Sequence, residues 1–302
     1  MLTVNQLRGV ARQAGARDIG IVEIDVILTH LLQMFVERGL ATHVAFKGGT
    51  MLRKMVFGPR GRLSTDLDFT RRGDISRDDL ALELRQILEE PYRGLSFEVP
   101  DRDWYFTDET CACNPICRHD GNDAGVAIKL QISLREAPIL PVRDVAQMRQ
   151  DYFDLLDFAP AAIPSLAIEE AVAEKIRAAS QRSKIRDVHD LSELSGLDFN
   201  RDLVRGLAVL KLWNSNDALN YQCFAARVTG EADYDIADLT NLLRRDQRPN
   251  LEAMIRRVVD GFRFLGNLTP AETALAADTA RALRDEADAL ARTFSEPADT
   301  HA

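Results

Sequence analysis

Apolar residues recur at Val22, Ile24, Val26, Ile27, Leu31, Leu32 and Phe35, close to the helical period, and predict a helix over 22–36 that Gly39 ends. A short apolar run at 43–46 predicts a buried strand. It leads straight into Gly48-Gly49-Thr50 and a second helical pattern at Met51, Leu52, Met55 and Val56. After the turn at Gly58-Pro59-Arg60-Gly61, positions 64–70 alternate Leu67 and Phe69 against Asp66 and Asp68, so a strand there carries both carboxylates on one face. Ser76 and Asp79 mark the start of a helix, 95–99 and 126–134 predict further strands, and a polar segment at 108–125 separates those two. Beyond Pro164 strand signals largely cease, and 166–180, 188–194, 203–213, 236–244, 251–265 and 270–294 carry helical patterns. The reading is therefore a first domain at 1–163, a helical domain at 164–302 and a frayed polar tail at 295–302.

Composition narrows this only a little. The 302 residues are enough for one large domain or two modest ones, and 46% hydrophobic with 28% charged residues is ordinary for a globular chain. No run of about twenty apolar residues suggests a membrane span and no leader pattern opens the chain, so the expectation is a cytoplasmic protein without a membrane partner. A net charge of -9 argues against binding nucleic acid through the whole surface. Basic residues nevertheless gather locally, with Lys47, Arg53, Lys54, Arg60, Arg62, Arg71 and Arg72 around the two aspartates, and Lys175, Arg177, Arg182, Lys184 and Arg186 further on. A third run at Arg244, Arg245, Arg248, Arg256 and Arg257 fits solvated helix faces better.

The chemistry lies in the order strand, glycine turn, helix, strand with two aspartates. Backbone amides at a glycine turn opening a helix make a phosphate cradle, and Thr50 can add a hydroxyl. Two carboxylates one residue apart on a strand suit magnesium or manganese, which binds a few carboxylates together with phosphate oxygens. Either motif alone is weak; both in this order point to nucleotidyl transfer from a nucleoside triphosphate (NTP). No P-loop sequence and no Ser-His-Asp set with supporting spacing occurs.

Phe46-Lys47-Gly48-Gly49-Thr50, Leu52-Arg53 and Arg62-Leu63-Ser64-Thr65-Asp66-Leu67-Asp68-Phe69 closely resemble the signature of the AbiEii-type nucleotidyltransferases, toxins of type IV toxin-antitoxin pairs. Val22-Glu23-Ile24-Asp25, Ile168-Glu169-Glu170, Ala173-Glu174-Lys175-Ile176-Arg177-Ala178 and Arg186-Asp187-Val188-His189-Asp190-Leu191 extend the resemblance over about 20–195. It implies an α+β fold: a polymerase-beta-like nucleotidyltransferase core, a mixed sheet with helices, followed by an all-helical C-terminal domain. It also implies that Lys175 reaches the triphosphate, that Asp187 or Asp190 orients it or the attacking group, and that a cognate antitoxin exists. Lys47, Arg53, Arg62 and Ser64 are expected to contact phosphate or brace the aspartates, and each also has a purely structural reading. The acceptor implied is RNA, above all the 3′ end of tRNA, engaged along Arg60, Arg62, Lys175, Arg182, Lys184 and Arg186. The same aspartates would serve transfer to a protein or small-molecule hydroxyl, and an inactive binding or regulatory module would keep the same fold.

Two further features carry expectations. Many enzymes of this fold hold a third carboxylate where this chain has Gln131, which can accept a hydrogen bond but cannot act as a base. Cys111, Cys113, Cys117 and His119, spaced C-x-C-x3-C-x-H, offer four ligands to a structural zinc, and free thiols are the alternative. His189 is expected to pack rather than to act as a base.

Overall fold

A computed structural model of the chain describes residues 1–230 and 234–295; most of the polar tail lies outside them. The chain divides into two units, the first made of 1–138, 142–166 and 240–248, the second of 139–141, 167–239 and 249–302.

The first unit opens with helices α1 (Val4–Gln13) and α2 (Ile19–Glu37). Thr3 and Gln6 form a capping box that starts α1, and Asp18 caps α2 by accepting from the Gly20 amide. By length and composition α2 could cross a membrane, yet 72% of its apolar window is buried, with Val26, Ile27, Leu28, Leu31 and Leu32 fully enclosed. It is the core helix of this unit. Strand β1 (Val44–Lys47) runs into a short helix α3 (Gly48–Met51), which continues as a π-helical stretch over Leu52–Phe57, and β2 (Asp66–Arg71) follows. Helix α4 (Arg77–Glu89) starts at Ser76, whose hydroxyl accepts from the Asp79 amide.

Then come β3 (Ser96–Glu98), β4 (Trp104–Phe106), β5 (Thr110–Cys113), β6 (Ile116–His119), β7 (Asn122–Ala127), β8 (Lys129–Ser133), β9 (Arg143–Val145) and β10 (Ile163–Ser165). Seven strands form one mixed sheet in the order β4-β5-β8-β2-β1-β10-β9, and β3-β6-β7 form a small antiparallel sheet. One face of the large sheet is apolar: Phe46 and Phe69 from neighbouring strands meet Phe35 of α2, with ring centroids 5.2 and 5.7 Å from Phe69. The single strand expected over 126–134 is two strands in different sheets. Ile128 between them is fully buried and its amide bonds to Pro115 O, so the chain pivots there from the small sheet to the large one. The segment expected to be a polar loop carries β5, β6 and most of β7.

The second unit holds helices α5 (Ile168–Gln181), α6 (Ile185–Leu194), α7 (Arg201–Asn214), α8 (Tyr221–Thr229), α10 (Leu251–Gly261), α11 (Pro270–Ala277) and α12 (Arg284–Ser295); after the short α9 (Ile236–Thr240) the chain passes through the first unit over 240–248 before α10. Helix α5 packs on α6, α7 and α8 through Val172, Ala173 and Ile176. The long helix expected over 270–294 is two helices, because Asp278 leaves the helical path and its carboxylate accepts from the amides of Ala282 and Leu283. Among the described residues of this unit no strand is found, in keeping with the helical expectation.

Candidate active site

The turn after β1 needs glycine for two separate reasons. Gly48 has φ +80, which glycine adopts without strain, and a Cβ there would stand 2.5 Å from Asp68 Oδ2 and 2.9 Å from Asp68 Cβ. At Gly49 a Cβ would run into the guanidinium of Arg62, whose Cζ would be 3.2 Å away. The carboxylate of Asp68 and the guanidinium of Arg62 therefore lie directly on the backbone of the Gly-Gly turn. Thr50, 1% exposed, donates its hydroxyl to the carbonyl of Asp66 and so locks the turn to the strand that carries the aspartates. That bond uses the hydroxyl expected to face a phosphate.

Register completes the picture. Lys47 is opposite Asp68 on β1, Gln131 is beside Asp68 on β8, and Lys129 is beside Asp66. Gln131 thus occupies the place expected for a third acid, so the row presents an amide where a carboxylate would add charge. Thr65, which the sequence did not single out, donates to Asp66 Oδ1 at 3.3 Å. Two carboxylates on one face, beside a cradle that a single Cβ would fill, suit a hard divalent cation bound with phosphate oxygens.

The other basic and hydroxyl residues of the signature are built into the protein. Ser64 is buried just before β2. Arg53 is buried; its guanidinium donates to the carbonyls of Gly58 and Gly61 and sits 3.5 Å from Asp25. It braces the turn that delivers β2. Lys54, wholly enclosed, donates to Asp25 Oδ1 at 3.1 Å, to the Thr29 hydroxyl at 2.8 Å and to Tyr152 Oη at 3.0 Å. Burial pushes the Asp25 carboxyl up, but the attraction of Lys54 and Arg53 outweighs it and holds the group below its ordinary range. This network pins the π-helical stretch to α2. Its sequence signal was a lone aspartate on an otherwise apolar helix stripe.

In the second unit Lys175 on α5 lies between two carboxylates of α6, with Nζ 3.2 Å from Asp187 Oδ1 and 2.7 Å from Asp190 Oδ2. Arg182 Nε adds a bond of 2.8 Å to Asp187 Oδ2. Burial raises the Asp187 carboxyl, Lys175 and Arg182 lower it further than that, and the net shift is downward. The expected Lys175, Asp187 and Asp190 are therefore one cluster, and Arg182 is part of its support. Arg186 pairs with Asp238 at 3.0 Å. His189 is largely buried, its Nδ1 3.7 Å from Asp190 Oδ1 and without a hydrogen-bond partner among the described residues. Glu170, in the same motif, is structural: it accepts from the amides of Ile139 and Leu140 and pairs with the buried Lys211 at 2.9 Å.

The fold divides the four expected zinc ligands between two sheets. Cys111 and Cys113 are on β5 in the large sheet, Cys117 and His119 on β6 in the small one. All three thiols are fully enclosed, burial raises them, to about 11 for Cys111 and about 12 for Cys117, and His119 is engaged by Glu23 at 2.7 Å. Among the described residues no three His, Cys, Asp or Glu side chains are grouped to hold a metal, and Cys111, Cys113 and Cys117 are packed as buried thiols.

Comparison with known proteins bears on this arrangement. A family model described as "Nucleotidyl transferase AbiEii toxin, Type IV TA system" matches residues 30–293. Among solved structures the chain is similar to MenT4, a nucleotidyltransferase toxin from Mycobacterium tuberculosis H37Rv, at 25% identity and a TM-score of 0.81, covering 98% of this chain and 100% of that one. Two Helicobacter pylori structures, one of them JHP933, align over 80% of this chain and 94% and 91% of theirs, at 20% and 21% identity with TM-scores of 0.47 and 0.45. No curated protein matches.

Proposed function

On the premise that this chain belongs to the AbiEii family and is a nucleotidyltransferase toxin of the type IV toxin-antitoxin kind, we propose that it transfers a nucleotide from an NTP to the 3′ end of an RNA, tRNA above all. The observation that carries the reading is the seating of the Asp68 carboxylate on the Gly48-Gly49 turn, which puts a metal-binding carboxylate and a phosphate cradle side by side. In the proposed reaction the acceptor hydroxyl oxygen bonds to the α-phosphorus and gives up its proton to solvent water. The bond from that phosphorus to the bridging oxygen breaks, and pyrophosphate leaves with the electron pair.

Asp66 and Asp68 would hold the divalent cation, magnesium or manganese, which when bound offsets the charge building on the departing group. The Gly48 and Gly49 backbone and Lys47 would position the triphosphate, with Arg62 covering the turn; Thr50, Thr65, Ser64 and Arg53 would hold the aspartate strand in place. In the second unit Asp187 and Asp190 would keep Lys175 in one rotamer, as a charge for an anionic group. Action on tRNA would place the toxin in the cytoplasm, with a cognate antitoxin as its partner.

The test is incubation with each labelled NTP and total RNA, alongside protein and free-hydroxyl acceptors. The expected outcome is label on RNA, lost in Asp68→Ala while the thermal transition is kept. The net charge of -9 favours the second reading, a protein or metabolite acceptor, and label found only there would replace RNA with that acceptor. Full transfer by Asp68→Ala would sink the mechanism itself.

A further inference from the structure

One row of residues crosses five strands of the large sheet. Lys47 on β1 is opposite Asp68 on β2, Asp68 is beside Gln131 on β8, Gln131 faces Ala112 on β5, and Ala112 faces Tyr105 on the edge strand β4. Cross-strand partners project from the same face, so Tyr105 and Asp68 share the polar face of the sheet, three strand spacings or about 14 Å apart.

The neighbours of Tyr105 settle its direction. Trp104 and Phe106 stack on each other with centroids 5.6 Å apart, Arg85 of α4 covers the Trp104 ring at 5.0 Å, and their partners Cys113 and Cys111 are fully buried. That pair belongs to the apolar face. Tyr105 between them projects the other way and is 51% exposed. Between it and Asp68 the row carries Ala112, which is buried at 8% exposure, and the half-buried Gln131. The adjacent rows add Ser133, Thr110 and the exposed Lys129, which among the described residues makes no ion pair.

We infer that this face is the path of the acceptor's unpaired 3′ end, with Tyr105 stacking a base roughly two nucleotides before the reacting hydroxyl. An exposed ring at a fixed distance from the catalytic carboxylates serves no core. A ring face takes any base, Gln131, Ser133 and Thr110 offer hydrogen bonds to ribose or base edges, and Lys129 meets a phosphate. The acidic side chains at that edge are partly neutralised within the protein, since Asp108 pairs with Arg77 and Glu109 with Arg135. The inference rests on the RNA-acceptor reading and assigns its substrate a single-stranded end.

The full chain and its Tyr105→Ala and Tyr105→Phe variants should be titrated with a short single-stranded RNA bearing a free 3′ hydroxyl, and separately with NTP. Tyr105→Ala should weaken RNA binding roughly five- to a hundredfold and raise the KM for RNA, with NTP affinity and the thermal transition unchanged; Tyr105→Phe, which keeps the ring, should stay within about twofold of the parent. Unchanged RNA affinity in Tyr105→Ala overturns the platform, as does a loss confined to NTP, which would give the ring to the incoming nucleotide's base. An equal loss in Tyr105→Phe also overturns it. If the parent itself neither binds nor labels RNA, the acceptor reading falls and takes this inference with it. A parent that labels RNA as well as its Tyr105→Ala variant does refutes the platform alone.

Discussion

Gly48→Ala is the sharpest probe of the turn. The added methyl costs about 1 kcal/mol for a φ of +80. It also falls short of an ordinary 3.4 Å contact by about 0.9 Å at Asp68 Oδ2 and about 0.5 Å at Asp68 Cβ. Rotating the carboxylate away cannot relieve the second collision, so the strand or the turn must shift, and an off-rotamer Asp68 adds about 1 kcal/mol. The combined loss of about 2–3 kcal/mol lowers the thermal transition by roughly 5–10 °C. On the proposed role of Asp68, activity falls further, because an ångström of misplacement at a catalytic group costs about a hundredfold in rate. Gly73→Ala is the control: it has φ +70 and nothing within 4 Å of the added methyl, so it pays the strain without the collision. Transition temperatures and single-turnover nucleotide transfer should be measured for both. Equal transfer rates would refute the argument that Asp68 rests on the turn.

Three other outcomes follow from the same structure. Lys54→Met leaves the buried Asp25 with only Arg53 for charge compensation and should cost about 3 kcal/mol in urea unfolding, with Asp25→Leu/Lys54→Met recovering part of it; a loss under about 1 kcal/mol would show the pair is not buried as described. His30 is buried against Phe158, and burial lowers its pKa from 6.5 to about 4, so the fold keeps it neutral: its stabilising share is complete above pH 6.5 and is lost as pH falls towards 4. His30→Gln should flatten the stability profile across that window, worth up to about 3 kcal/mol at its acid end, and an unchanged profile would contradict the assignment. Protein purified without chelator should contain no stoichiometric zinc by elemental analysis, and Cys111→Ala should behave as a core packing change whose transition chelator does not move.

Much of the site was legible because its signals are local. A glycine pair between an apolar strand and a helical pattern, and aspartates alternating with Leu67 and Phe69, follow from backbone conformation and the two-residue period of a strand, which neighbouring residues decide among themselves. The Lys175 motif and the helical second half are local in the same sense, since residues three and four apart share a helix face. What needed the tertiary structure was every pairing between residues far apart in sequence. The division of 126–134 between two sheets turns on Ile128 being wanted in the core, and the separation of Cys111 and Cys113 from Cys117 and His119 follows from that division. The seat of Arg53 and Lys54 on Asp25, the return of 240–248 to the first unit, and the row from Asp68 to Tyr105 are likewise set by strand register and packing. Period and composition fix which face of an element is apolar; only the burial of all such faces together fixes which element each one meets.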